Sequence, residues 1–272
     1  MQPVTVLSIA GSDSGGGAGI QADLRTFAAF KVHGTTALTA VTAQNTLGVA
    51  DVGIVALSLI VAQVTAVTDD FEVAAVKTGM LANAEVVEAV ANLARQGLLP
   101  QLVVDPVLVS TSQHSLMDEG GVRAYREALF PLADVVTPNL REAAMLCGVD
   151  VRDISSTDDM RELGAHLLTL GPRYVLIKGG HFAAHRADAT VPDVLLSTEG
   201  TWTFESPRVL TTNDHGTGCS LSAALCAGLA RGRGILDATR DAKSFVTSAL
   251  EGSEQWRLGH GRGPLDHLRW NQ

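Results

Sequence analysis

Short apolar runs that halt at a glycine, a proline or a lone polar residue, separated by stretches of helical periodicity, recur along this 272-residue chain. Val4 to Ala10 stops at Gly11, and Thr35 to Thr42 runs up to Gln44-Asn45. Ala74 to Lys77 closes on Thr78-Gly79-Met80, and Leu102-Val103-Val104 ends on Asp105-Pro106. Asp134 to Thr137 meets Pro138-Asn139, and Tyr174 to Ile177 ends on Lys178-Gly179-Gly180. Between and around these runs, residues 20–31, 58–68, 84–95, 119–130, 139–146 and 157–170 carry helical spacing. Such alternation folds as a doubly wound, mostly parallel sheet with helices on both faces, the α/β class. Hydrophobic residues make up 46% of the chain and aromatic ones only 4%, so Ala, Val, Leu and Gly must build the core, as in strands covered on both faces. No repeat, low-complexity tract or linker divides the sequence, and one domain over 1–272 is expected. One consequence concerns function. Gly11, Gln44, Met80, Asp105, Asn139 and Lys178 should share a single rim, the C-terminal edge where open α/β sheets bind ligands.

Charge and cysteine usage narrow the partners. A net charge of −9 without any lysine- or arginine-rich cluster argues against nucleic acid and anionic membrane surfaces. Cys147, Cys219 and Cys226 sit at no metal spacing and cannot all pair, so reduced thiols in a cytoplasmic protein are expected. The N-terminus has no basic region, and the most apolar stretch, 53–67, is broken by Ser58 and Gln63 and falls short of the ~20 residues of a spanning helix. A soluble protein acting on a small molecule is the expectation.

Thr211 to Arg231 is the most suggestive stretch. Its first half is polar and glycine-bearing, and its second half places Leu221, Leu225, Gly228 and Leu229 on one helical face. Gly216-Thr217-Gly218-Cys219 at the junction would aim backbone N–H groups from a helix N-terminus, an anion site with no cationic side chain; tight packing is the other reading. A thiol at that position has a lowered pKa, so Cys219 reads as a candidate reactive thiolate, whereas Cys226 reads as a small core residue. The loop from Gly11 to Gly19 lacks the Gly-Lys-Ser/Thr of a P-loop, and Ile20 stands where the dinucleotide pattern has its third glycine. It reads as a loop closing over a neutral small molecule, or as a surface turn. Asp105 could be a strand-end cap or a functional acid, and Asn139 with Glu142 could be a helix cap or part of a magnesium shell. Lys178, finishing a buried strand beside two glycines, is placed to meet an anion. His181 and His185 lack the frame of a metal site. Thr157 reads as a helix N-cap with Asp158 and Asp159 in the first turn, 194–196 and 201–204 as a hairpin, and 236–250 as a last helix before a polar tail.

Taken together, Ile9-Ala-Gly-Ser-Asp-Ser-Gly-Gly-Gly-Ala-Gly-Ile-Gln-Ala-Asp23, Thr42-Ala-Gln-Asn45, Val76-Lys-Thr-Gly-Met80, Val104-Asp-Pro-Val107, Thr137-Pro-Asn-Leu-Arg-Glu-Ala143, Ile177-Lys-Gly-Gly-His181 and His215-Gly-Thr-Gly-Cys219 closely resemble the hydroxymethylpyrimidine/phosphomethylpyrimidine kinases of thiamine biosynthesis. The resemblance runs from about residue 5 to 250 and implies a ribokinase-like three-layer fold. It implies ATP- and Mg2+-dependent phosphorylation of 4-amino-5-hydroxymethyl-2-methylpyrimidine and then of its monophosphate. Carried over by motif, Gln44 would bond the aminopyrimidine, with Gly11, Asp23, Met80 and Val107 around it. Lys178, Asn139 and Asn213 would serve the nucleotide, and Asp105 and Glu142 the metal and its waters. Gly216, Thr217 and Gly218 would form the anion hole, with Cys219 where many ribokinase-like enzymes carry a catalytic aspartate. A homodimer is the implied assembly. Gln113, in Val109-Ser-Thr-Ser-Gln-His114, departs from the glycine common in the family, and 181–193 is idiosyncratic. A pyridoxal kinase is the nearest rival, and a non-catalytic pyrimidine-binding protein is the rival from another class.

Overall fold

The computed structural model describes residues 2–108, 117–180 and 190–270. In chain order its elements are β1 (Thr5–Asp13), α1 (Gly19–Ala29), β2 (His33–Asn45), β3 (Gly48–Ile54), α2 (Leu57–Thr68), β4 (Val73–Thr78), α3 (Ala84–Arg95), β5 (Leu102–Val104), α4 (Glu119–Ala124), β6 (Val135–Val136), α5 (Leu140–Cys147), α6 (Thr157–Leu168), β7 (Tyr174–Lys178), β8 (Thr190–Ser197), β9 (Gly200–Pro207), α7 (Thr217–Ala230) and α8 (Ile235–Ser253). The sheet order is β3-β2-β1-β4-β5-β6-β7-β8-β9. Neighbours from β2 to β7 pair in parallel, while β3, β8 and β9 join antiparallel at the two edges.

The period-two alternation of strands sorts the core into two layers. Leu7, Ile9, Val76, Leu102, Val104, Val136, Val175 and Ile177 face α2, α3, α5 and α6. Their immediate neighbours Val6, Ala75, Val103, Val135 and Leu176 face α1, α7 and α8. A helix–sheet–helix sandwich results, and each fully buried Val, Leu or Ile in it contributes about 1.5–3 kcal/mol.

Several local expectations are corrected. β1 does not stop at Gly11: its register with β2 shifts between Ala10 and Ser12, and the bulge lets pairing continue to Asp13. β2 likewise runs to Asn45 and turns into β3, which the sequence did not announce because its residues are mostly exposed on both faces and show no alternation. The helix expected over 119–130 breaks into α4, a π turn over Tyr125–Leu129 and a 3-10 turn over Phe130–Leu132, where Pro131 interrupts the bonding. Ser156, not Thr157, caps α6, in a reciprocal box with Asp159. α7 is buried all round from Ser220 to Leu229 instead of on one face, because it lies between the sheet, α1 and α8. The polar tail folds back: Asp266 N donates to Ala249 O at 3.0 Å, and His267 Nε2 lies 2.7 Å from Ser220 Oγ. Burial lowers the His267 pKa to about 4, so this imidazole is neutral. The readings on Gln113, His181 and His185 lie outside the described residues.

Candidate active site

Strand ends and the start of α7 enclose a cavity of about 600 Å³. Gly11, Gln44, Met80, Asp105, Val107, Asn139, Glu142, Lys178 and the run Gly216 to Cys219 all line it. The parallel register brings these residues together, since each strand delivers its last residues to the same edge.

At the centre, Lys178 Nζ donates to Asp105 Oδ1 at 2.6 Å. Thr137 Oγ1 at 3.2 Å and Ser222 Oγ at 3.1 Å complete the Asp105 shell. Burial works against the Asp105 charge, but Lys178 and, further off, Lys77 outweigh it and hold the carboxyl below its ordinary range. Lys178 is raised in turn: burial opposes its charge, and Asp105 and Glu142 restore it. A Cβ built on Gly218 would lie 3.1 Å from Lys178 Nζ, so the ammonium sits against the first turn of α7.

That first turn has no side-chain cap. The first N–H groups of a helix lack intrahelical partners; Thr217 N turns back to Asp214 O at 3.3 Å, and Gly216 at the cap position supplies no side chain for those that follow. Gly216 adopts φ +90°, and a Cβ there would strike Gly17 O, so both conformation and contact demand glycine. α5 shows the contrast. Asn139 Oδ1 accepts from Arg141 N and Glu142 N, while Glu142 Oε2 accepts from Asn139 N at 2.8 Å, a complete capping box. The cap reading of this pair is therefore present in full, at the cavity wall. Burial, with Asp105 adding to it and Lys178 opposing, raises the Glu142 pKa to about 7. Asp105 and Glu142 offer hard carboxylate oxygens, a donor set that suits Mg2+ held largely through its waters. The partners already on Asp105 favour that outer-shell mode.

Cys219 is corrected in chemistry, not in position. Burial pushes its pKa to about 11 despite the nearby Lys77 ammonium, so at neutral pH it is a thiol and not the expected thiolate. Two other expectations move. Asp23 lies under the cavity wall, fully buried, with Lys77 Nζ at 2.8 and 2.9 Å from its two oxygens and Ser8 Oγ at 2.6 Å. Burial raises its pKa, and the same pairing keeps Lys77 protonated. Asn213 does not line the cavity either, because its amide donates to Ser253 O at 2.6 Å and Trp256 O at 3.1 Å, fastening the end of α8.

Residues without a role at the level of sequence complete the site. His215 Nε2 lies 2.9 Å from Asp13 Oδ2 and 3.0 Å from the Gln44 amide. Asp13 also accepts from the backbone N–H groups of Gly15, Gly17 and Ala18, so one carboxylate shapes the whole glycine loop. An aspartate directly before a glycine run was the available signal, as an Asx turn. Toward β8 and α8 the cavity becomes apolar, with Val191, Val209, Val246 and Leu250, beside a buried Lys243–Asp193 pair at 2.8 Å.

A family model described as phosphomethylpyrimidine kinase matches residues 13–266. The chain is 44% identical over 267 residues to the hydroxymethylpyrimidine/phosphomethylpyrimidine kinase of Haemophilus influenzae, covering 98% of this chain and 97% of that one. Among solved structures it is similar to an ADP complex of Bacillus subtilis pyridoxal kinase, with TM-score 0.88, 38% identity and 99% of both chains covered. It is also similar to phosphomethylpyrimidine kinase from Clostridium difficile, with TM-score 0.77, 38% identity, and 91% of this chain and 99% of that one covered.

Proposed function

The chain belongs to the phosphomethylpyrimidine kinase family, and on that premise we propose that it transfers the γ-phosphoryl group of ATP to the hydroxymethylpyrimidine of thiamine biosynthesis and then to its monophosphate. The observation that carries this reading is the Lys178–Asp105 pair set against the uncapped start of α7, with Gln44 lining the same cavity. An apolar pocket toward α8 suits the adenine base, and the Gln44 side suits a polar ring. Between them, Lys178 and the N–H groups of Gly216 to Cys219 stabilise charge on the phosphoryl oxygens.

In the transfer, the alcohol oxygen bonds to the γ-phosphorus as the bond to the β-phosphate oxygen breaks, and ADP leaves. A loose transition state of this kind asks mainly for positioning and positive charge, and the alcohol proton departs late. Cys219, protonated at neutral pH, shapes the anion hole instead of resting as a base. Mg2+ would supply further charge neutralisation, and Asp105 and Glu142 would hold it through its waters. We assign the assembly as a homodimer from the family resemblance. Among the described residues no helix is long and apolar enough to cross a membrane.

Coupled ADP release tests the reading. Turnover is expected with both the hydroxymethylpyrimidine and its monophosphate, and turnover of neither refutes it. The close structural likeness to a pyridoxal kinase makes pyridoxal the second alcohol to assay, and the ratio of kcat/KM for the two rings ranks them.

A further inference from the structure

Two shared protons decide which way round the amide of Gln44 faces the cavity. Gln44 Oε1 is drawn toward Thr42 Oγ1 at 3.1 Å and Nε2 toward His215 Nε2 at 3.0 Å, and which amide atom is oxygen and which nitrogen is decided only by the hydrogen bonds around them. Thr42 Oγ1 also lies 2.9 Å from the carbonyl oxygen of Ser12, which can only accept. The single hydroxyl proton goes to Ser12, leaving the Thr42 oxygen as an acceptor toward Gln44. On the other side, His215 Nε2 lies 2.9 Å from Asp13 Oδ2. Burial opposes the charge on Asp13, but His215 and the loop N–H groups of Ala18 and Gly15 outweigh it and hold the carboxyl below its ordinary range. An ionised carboxylate has no proton to give, so Nε2 must carry one, and an imidazole N–H cannot accept a bond from an amide NH2. The network therefore turns the amide over, with the carbonyl oxygen toward His215, where it shares the Nε2 proton with Asp13, and the NH2 group toward Thr42. Two constraints from opposite sides agree.

The ring that imposes this order is itself held. His215 N donates to Gly263 O at 3.0 Å, and a Cβ on Gly17 would strike His215 Cδ2, so the glycine loop leaves a slot for the imidazole. His215 is buried, and so is Asp13.

We propose that His215 is a positioning residue which, with Thr42, locks the Gln44 amide so that the cavity reads a ring edge carrying an amino donor beside an unprotonated ring nitrogen, in one order only. This rests on the pyrimidine kinase reading and deepens it. The remaining carbonyl lone pair takes the ring amino group, and the remaining amide N–H meets the ring nitrogen. A 4-oxo analogue presents the reverse order, a carbonyl beside a ring N–H. To meet it the amide would have to turn over, setting NH2 against the His215 N–H and oxygen against a Thr42 oxygen whose proton is committed to Ser12.

The test measures kcat and KM for the 4-amino alcohol and its 4-oxo counterpart in the wild type, His215→Phe and Thr42→Val, with thermal melts on each. The wild type is expected to prefer the amino ring by about 100-fold or more in kcat/KM. In His215→Phe the KM for the amino alcohol rises about tenfold with kcat within about threefold, one hydrogen bond's worth. The preference over the oxo ring shrinks by at least that factor, because the freed amide can turn. Thr42→Val moves the preference in the same direction, and decides alone if the melt shows His215→Phe unfolded. Equal losses on both alcohols, or a loss confined to kcat, overturn the proposal while leaving the kinase reading intact. A wild type that phosphorylates neither alcohol overturns the kinase reading, and this inference with it, before any variant is needed.

Discussion

Of the three buried lysine–aspartate pairs among the described residues, Lys77–Asp23 and Lys178–Asp105 differ most clearly in what the lysine can reach. Lys77 and Asp23 meet at 2.8 Å with both side chains 0% exposed. Lys178 and Asp105 meet at 2.6 Å with side chains 10% and 2% exposed. Lys77 sits within β4, one residue before its end, and is sealed by α1 and by Ala10 and Gly79 around the turn that follows. Lys178 is the last residue of β7, so its ammonium emerges at the cavity beside α7. Identical chemistry is thus sealed in one place and open to the cavity in the other, and a single step along a strand separates the two.

The comparison can be broken from the Lys77 side first. Lys77→Met leaves Asp23 buried without its partner, and stability should fall by about 3–5 kcal/mol in urea unfolding. The double variant Lys77→Met with Asp23→Leu should recover most of that loss, since a well-packed apolar pair removes the uncompensated charge. Lys178→Ala should act in the opposite register. Cavity water can take the place of its ammonium, so the melt should move less than in Lys77→Met, while kcat falls by about 10²–10³.

A pH series sharpens the contrast at Glu142. Its folded pKa of about 7 exceeds the ordinary 4.5, so the folded state binds the proton more tightly than the unfolded chain. The stability this confers is complete below about pH 4.5 and is lost as pH rises through 7. In metal-free buffer, Tm of Glu142→Gln minus that of the wild type should therefore grow by about 2–5 °C across that window. Lys178→Ala should enlarge the slope, because Lys178 is the group that holds the Glu142 pKa down; Lys77→Met should leave it nearly unchanged. Smaller effects separate the two ends of the substrate. Gln44→Ala should raise KM for the pyrimidine about tenfold with little change in kcat, and Cys219→Ala should lower kcat with little change in KM. The Cys219 thiol should alkylate slowly at pH 7 and faster as pH approaches its pKa of about 11.

Much of the frame is legible in the sequence alone. The helix over 84–95 forms over that span, and Gly11, Gln44, Met80, Asp105, Asn139 and Lys178 do share one cavity. Periodicity encodes such elements locally, and parallel pairing then fixes which ends coincide. β3 escaped because an edge strand exposed on both faces needs no apolar alternation. The Cys219 prediction considered the helix N-terminus alone, and desolvation by its surroundings proved the larger effect.

What the sequence by itself determined is the alternation of strand and helix, the row of strand-end residues and the glycine-capped start of α7. Only the tertiary structure decided that Asp23 faces Lys77 below the cavity, that Asn213 fastens α8, and that His215 reaches Asp13 and Gln44 across separations of 202 and 171 residues. The physical reason is range. Backbone propensity and side-chain period act over one or two turns of chain, whereas a buried carboxylate or amide takes whichever donor the packed layers bring within 3 Å.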